Sequence, residues 1–297
     1  MTNNKTSFFR KYFDILKITF LRWLDRDPIS SSSAIAYFSI FSLPGLLVIV
    51  INMAGYFYDK GKVTTSVSSE IETLMGKAAA DDVISILKKV SEQKGTVVSS
   101  ILSVLTLLIG ATGVFVQLQK FLNVIWEVPP AKKRKFLRSL KERVFSFGLI
   151  LAVGFLLLIS LLLSSILSAL SFWVTHHFSE SLKVVFKILD IMVSFSIITL
   201  LFGAIYKFLP EAKISWKDVW VGAVITSILF VAAKFALGVY FGHSKPESAY
   251  GAAGSIVLLM LWVSYSSIIV LFGAEFTHTT SFSRNGKIDK NEVLESH

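Results

Sequence analysis

The stretch AGSIVLLMLWVSYSSIIVLFGAEF, residues 253–276, decides the fold. It holds one charged residue, Glu275, near its end, and it is long enough for a helix to cross a hydrocarbon core of roughly 30 Å. Five stretches of the same kind precede it, at 34–55, 97–118, 145–172, 184–209 and 219–241, and the first three carry no charge. The chain is therefore expected to be an all-α polytopic membrane protein, a six-transmembrane-helix bundle over 34–277. Residues 1–33 form an N-terminal segment, 56–96 a long helical loop and 278–297 a tail. Composition agrees. A mean hydropathy of +0.65 with 53% hydrophobic residues exceeds what a soluble chain of this length keeps in solution. The 25 phenylalanines are readily placed against lipid, and the absence of cysteine excludes disulfides and thiolate metal sites.

Lysine and arginine are unevenly shared among the connections. One side receives the N-terminal segment, the basic run from Lys120 to Arg143, the turn with Lys207, Lys213 and Lys217, and the tail. The totals are 20 on that side and 8 on the other. By the positive-inside rule, both termini are cytoplasmic and the loop 56–96 is external. That loop balances six basic residues against six acidic ones. The net charge of +10 is thus a topology signal, and no nucleic-acid partner is expected. The first 33 residues are too charged for a cleavable signal peptide. Instead Phe9, Tyr12, Phe13, Leu16, Phe20, Trp23 and Leu24 share one helical face, with Arg10, Lys11, Asp14, Lys17 and Arg22 largely opposite. This predicts an amphipathic helix along the cytoplasmic headgroups, with membrane lipids as its partners. In the external loop, Val67, Ile71, Leu74 and Met75, then Val83, Ile86, Leu87 and Val90, predict two short amphipathic helices that cap a cavity or form an elbow.

Breakers and charges inside the spans mark candidate working positions. Pro44 interrupts the first span and frees a carbonyl near Ile40, which Ser39, Ser42 or a neighbouring helix can help satisfy. Gly110 and Gly113 in the second span, and Gly251 and Gly254 opening the sixth, are expected to serve close packing or bending. Lys187 and Asp190 lie in the first turns of the fourth span, and Lys234 about two turns from the outer end of the fifth. Asp190 and Lys234 thus share a depth and can pair across two helices. Alternatively, Asp190 pairs with Lys187 one turn away while the lysines reach to the headgroups. Glu275 is expected to face Arg143 or Lys207.

Enzyme signatures are missing from the sequence. Glu275-x-x-His278 has the spacing of half a di-iron site, but no second half follows. There is no phosphate-binding Walker loop and no GxSxG elbow, and residues 30–33 read as a capping run after Asp27-Pro28. The chain is expected to be no enzyme and to hold no metal or cofactor.

Five blocks carry a resemblance. They are SSSSAIAYFSIFSLPG (30–45), GATGVFVQLQKFLNVIWEV (110–128), RVFSFGLILAVGFLLLISL (143–161), YKFLPEAKISWKDVWVGA (206–223) and SAYGAAGSIVLLMLWVSYSSIIVLFGAEFT (248–277). In order and spacing they resemble the YihY/BrkB family of bacterial inner-membrane proteins, once labelled ribonuclease BN. The resemblance implies a six-helix integral membrane protein of the inner membrane. It implies little chemistry, although envelope-lipid transport has been suggested for some members. The ribonuclease label finds no metal ligands or general acids here to support it. The expected function is that of a transporter or lipid-handling protein of the cell envelope. The alternatives are a non-transporting scaffold or regulatory protein, and an intramembrane enzyme.

Overall fold

The computed structural model describes residues 3–57, 97–129, 182–244 and 254–284, with isolated positions between 61 and 84. The helices over these segments are α1 (Asn3–Asp25), α2 (Pro28–Phe57), α3 (Val97–Ile125), α4 (Leu182–Phe208), α5 (Trp216–Ser244) and α6 (Gly254–Arg284). Within α4, α5 and α6, the segments Val184–Phe208, Trp216–Phe241 and Ile256–Arg284 are long and apolar enough to cross a membrane. The protein is an all-helical polytopic membrane protein. α2 and α3 coincide with the first two apolar stretches of the sequence. The stretch 145–172, Gly251 and the apolar stripes of the loop 56–96 lie outside the described residues, whereas the described positions of that loop are helical.

Helix ends follow local chemistry. The Ser30 N–H donates to Asp27 Oδ1 at 3.2 Å, so Asp27 caps α2 and Pro28 takes the first helical position, where no N–H is needed. The serines of 30–33 therefore lie inside the helix and do not cap it. α3 ends in a Schellman turn: the Val128 N–H reaches the Asn123 carbonyl at 2.9 Å and the Glu127 N–H the Val124 carbonyl at 3.1 Å. This turn, ahead of Pro129, stops the helix. Ser215 caps α5 with its backbone carbonyl and side chain.

α2 runs unbroken through Pro44. Ser39 and Ser42 donate to the carbonyls of Ile35 (2.8 Å) and Ser39 (3.2 Å), not to that of Ile40 as expected. α2 packs on α3 and α6, α5 lies between α4 and α6, and α1 leans on α6. At the α2–α3 crossing, a Cβ on Gly110 would fall 2.7 Å from the Ser42 backbone nitrogen, and one on Gly113 would enter the Phe38 ring. α5 and α6 interlock reciprocally. The Thr277 side chain fills the space beside Gly222, and the Thr226 side chain fills the space beside Gly273. Each threonine hydroxyl donates to the carbonyl of the glycine four residues before it, at 2.7 Å in both cases. Tyr206 of α4 joins them, donating to the Val270 carbonyl at 2.8 Å and lying 2.9 Å from Thr226 Oγ1. Around this three-helix unit, Phe115, Leu122, Ile125, Phe202, Leu209 and Leu271 form the main apolar core. Ile188 and Met192 of α4 and Phe235 of α5 point outward, as lipid-facing residues do.

α1 presents two faces. Phe13, Leu16, Phe20 and Leu24 form an exposed apolar face, but Ile15, Ile18 and Thr19 are buried. Trp23 packs edge-on against Phe272 of α6 with centroids 5.8 Å apart. The helix thus offers one face to its surroundings and another to the bundle. α6 likewise continues past residue 277 to Arg284, with His278 and Thr279 fully buried, so the first residues of the expected tail belong to the helical body.

Candidate functional site

The start of α2, the ends of α3, α4 and α6, and the start of α5 meet at one end of the bundle. Gln119 donates to the Leu209 carbonyl at 3.2 Å, and the Glu211 N–H donates to Asn123 Oδ1 at 2.9 Å, tying α3 to the α4–α5 turn. Lys207 donates to the Ile214 carbonyl across the same turn and stands over the Trp216 ring at 5.4 Å. Asp218 accepts from the Ser281 hydroxyl at 2.9 Å and pairs with Arg284, tying α5 to α6.

Arg26 stands at the centre. It sits in the α1–α2 elbow, where Asp27 has a left-handed backbone (φ 47°), and reaches α3 and α6 together. Its Nη1–H donates to the Val124 carbonyl, its Nη2 lies 3.9 Å from Glu127 Oε1, and its Nε lies 3.1 Å from Glu275 Oε2. Glu127, left-handed at φ 53°, is mostly exposed, so solvent screening leaves its attraction at about 0–1 kcal/mol. The Glu275 carboxylate is fully enclosed, and there a pair has strong mutual need even where its net contribution to stability is small. His278 Nδ1 lies 3.7 Å from Glu275 Oε1, beyond hydrogen-bond reach. The imidazole is held instead by the Trp126 edge at 5.0 Å and by Phe282 at 4.3 Å.

Glu275 therefore faces Arg26 and not Lys207, which is committed to Ile214 and Trp216, while Arg143 lies outside the described residues. Asp190 and Lys234 are both partly buried. Asp190 Oδ1 is enclosed without a hydrogen bond, Lys187 is exposed, and Lys234 has contacts of its own. Gly254 is buried at the start of α6. Among the described residues, no three histidine, aspartate or glutamate side chains gather as metal ligands would. Reading the sequence alone gave Arg26, Asp218 and Tyr206 no part in joining the helices and did not find the interlocking pairs. A signal for the last was present: G-A-x-x-T occurs at 222–226 and again at 273–277.

The junction holds the α1–α2 elbow, α3 and α6 around an enclosed carboxylate and imidazole. Comparison with known proteins agrees with a membrane role. The sequence profile of the family "Virulence factor BrkB" matches residues 19–295. A UPF0761 membrane protein of Tolumonas auensis is 29% identical over 265 residues, covering 86% of this chain and 82% of that one. One from Stenotrophomonas maltophilia (strain K279a) is 23% identical over 89% of this chain. One from Delftia acidovorans is 26% identical over 70% of it. The chain spans only 60% and 47% of the length of these last two relatives. No solved structure matches. The chain belongs to the BrkB family of membrane proteins.

Proposed function

We propose that the chain is a six-span carrier of the bacterial inner membrane that moves an amphipathic or anionic solute, an envelope lipid first among them. The observation that carries this is the pair Glu275 and His278, fully enclosed in a membrane-spanning helix beside Arg26. Ionisable groups at such positions are costly and mark solute or ion pathways more often than passive packing.

The six spans are read from the six apolar stretches of the sequence, and three membrane-length helices among the described residues support a multi-span chain. The surplus of lysine and arginine on the junction side supports cytoplasmic termini. The reading involves no catalysis, no cofactor and no nucleic acid, and its partners are membrane lipids. It is tested with purified protein in liposomes, assayed for movement of labelled phospholipids and small anions, with Glu275→Gln and Lys234→Met alongside. Flux above that of empty liposomes, reduced in Glu275→Gln, supports the carrier. Flux equal to that of empty liposomes leaves the scaffold reading.

A further inference from the structure

Buried side-chain polar atoms in folded proteins nearly all have a partner, so a cluster of unpartnered ones calls for an explanation. Here they are concentrated on two helices. On α1 they are Thr19 Oγ1, Arg22 Nη1 and Trp23 Nε1, and on α6 both Glu275 carboxylate oxygens, both His278 ring nitrogens and the hydroxyls of Thr279 and Thr280. Thr19, His278 and Thr279 are fully buried. Positions 19, 22 and 23 share one face of α1, with Arg26 in the elbow just past its end, and 275, 278 and 279 share one face of α6. The two helices meet at the Trp23–Phe272 contact and the Arg26–Glu275 ion pair.

We infer that this α1–α6 seam binds the phosphate-bearing headgroup of a membrane lipid. The Glu275 carboxylate can only accept and already faces Arg26, whereas arginine and tryptophan can only donate and the threonine hydroxyls and one imidazole nitrogen can donate too, so a ligand complementary to these remaining groups is rich in acceptors. Arg26 faces the one enclosed carboxylate, Glu275, with Glu127 at the exposed margin, and the buried Arg22 Nη1 one turn earlier on α1 has no hydrogen-bond acceptor, a second guanidinium that suits an anion. The exposed apolar face of the same helix, Phe13, Leu16, Phe20 and Leu24, offers a path for acyl chains beside the headgroup. That feature selects a lipid over a free anion. The inference rests on the lipid-handling reading for its choice of ligand, but not for whether the lipid is moved.

The test uses delipidated full-length protein in detergent, titrated with short-chain phosphatidic acid, inorganic phosphate or diacylglycerol, with binding read as a saturable rise in melting temperature. Phosphatidic acid should protect the wild type, Thr279→Ser, and Lys17→Gln at an exposed position of α1. Its apparent affinity should fall about tenfold or more in Arg22→Gln and in Thr279→Val. Thr279→Val keeps side-chain volume and carries the test alone if Arg22→Gln does not fold. Unchanged affinity in both variants, or equal protection by diacylglycerol, overturns the site. Equal protection by inorganic phosphate overturns the lipid assignment in favour of a free-anion site. Binding without liposome flux would count against the carrier and leave the seam standing, while flux with unchanged binding in both variants would do the reverse.

Discussion

Replacing Arg26 by methionine removes the cation from an enclosed carboxylate while keeping an unbranched apolar stem in the elbow. The Glu275 side chain is 0% exposed and Arg26 15%, so the glutamate has little access to water when its partner goes. Breaking a buried pair from one side costs about 3–5 kcal/mol, whereas removing both charges is far milder. At about 2–4 °C per kcal/mol for a chain of this size class, Arg26→Met should lower the apparent melting temperature by on the order of 10 °C. Glu275→Gln should cost less, because Arg26 keeps the Val124 carbonyl and Glu127. The double variant should melt close to Glu275→Gln alone, a coupling of about 2 kcal/mol or more. Melting is followed in detergent at one scan rate for all four proteins, because unfolding of such chains is often irreversible. A double variant that loses the sum of the two single effects would falsify the ion-pair account of the junction.

The remaining predictions use the same structure. Gly222→Ala pushes a methyl group into Thr277 and should destabilise by about 1–3 kcal/mol, largely relieved by Thr277→Ala in the same chain, as read by melting temperature. Tyr206→Phe removes the hydroxyl bond to the Val270 carbonyl and its contact with Thr226, and should cost about 0.5–1.5 kcal/mol by the same measure. Because the chain lacks cysteine, single cysteines report topology cleanly. Those at Ser68 and Ser179 should react with an impermeant external reagent and one at Ser139 should not, whereas the reverse pattern would reject cytoplasmic termini.

The helices were legible because membrane spans announce themselves by length and apolarity, with no need of a partner. Their ends were less so. α2 begins at Pro28 and not near Ala34, since a capping aspartate and serines that bond back to the helix can lengthen it through polar sequence. α6 extends to Arg284 because its threonines, serine and histidine are packed inside the bundle and not left in water. The junction was harder still. Arg26 entered the sequence reading only as one topological charge among many, and nothing in any local period links it to Glu275, far along the chain. The Gly–Thr interlock was written in two copies of a short motif. Its meaning depends on two antiparallel helices placing glycine against threonine twice over.

Alternating access requires the junction to open and close, and a transported lipid must prefer one of the two states. Spin labels on cysteines introduced at the exposed positions Ser33 of α2 and Ser215 ahead of α5 report the distance across that end in liposomes. The carrier account predicts two distance populations whose proportions shift when phospholipid is supplied to an initially delipidated sample. A single distance, unchanged by lipid, would contradict it.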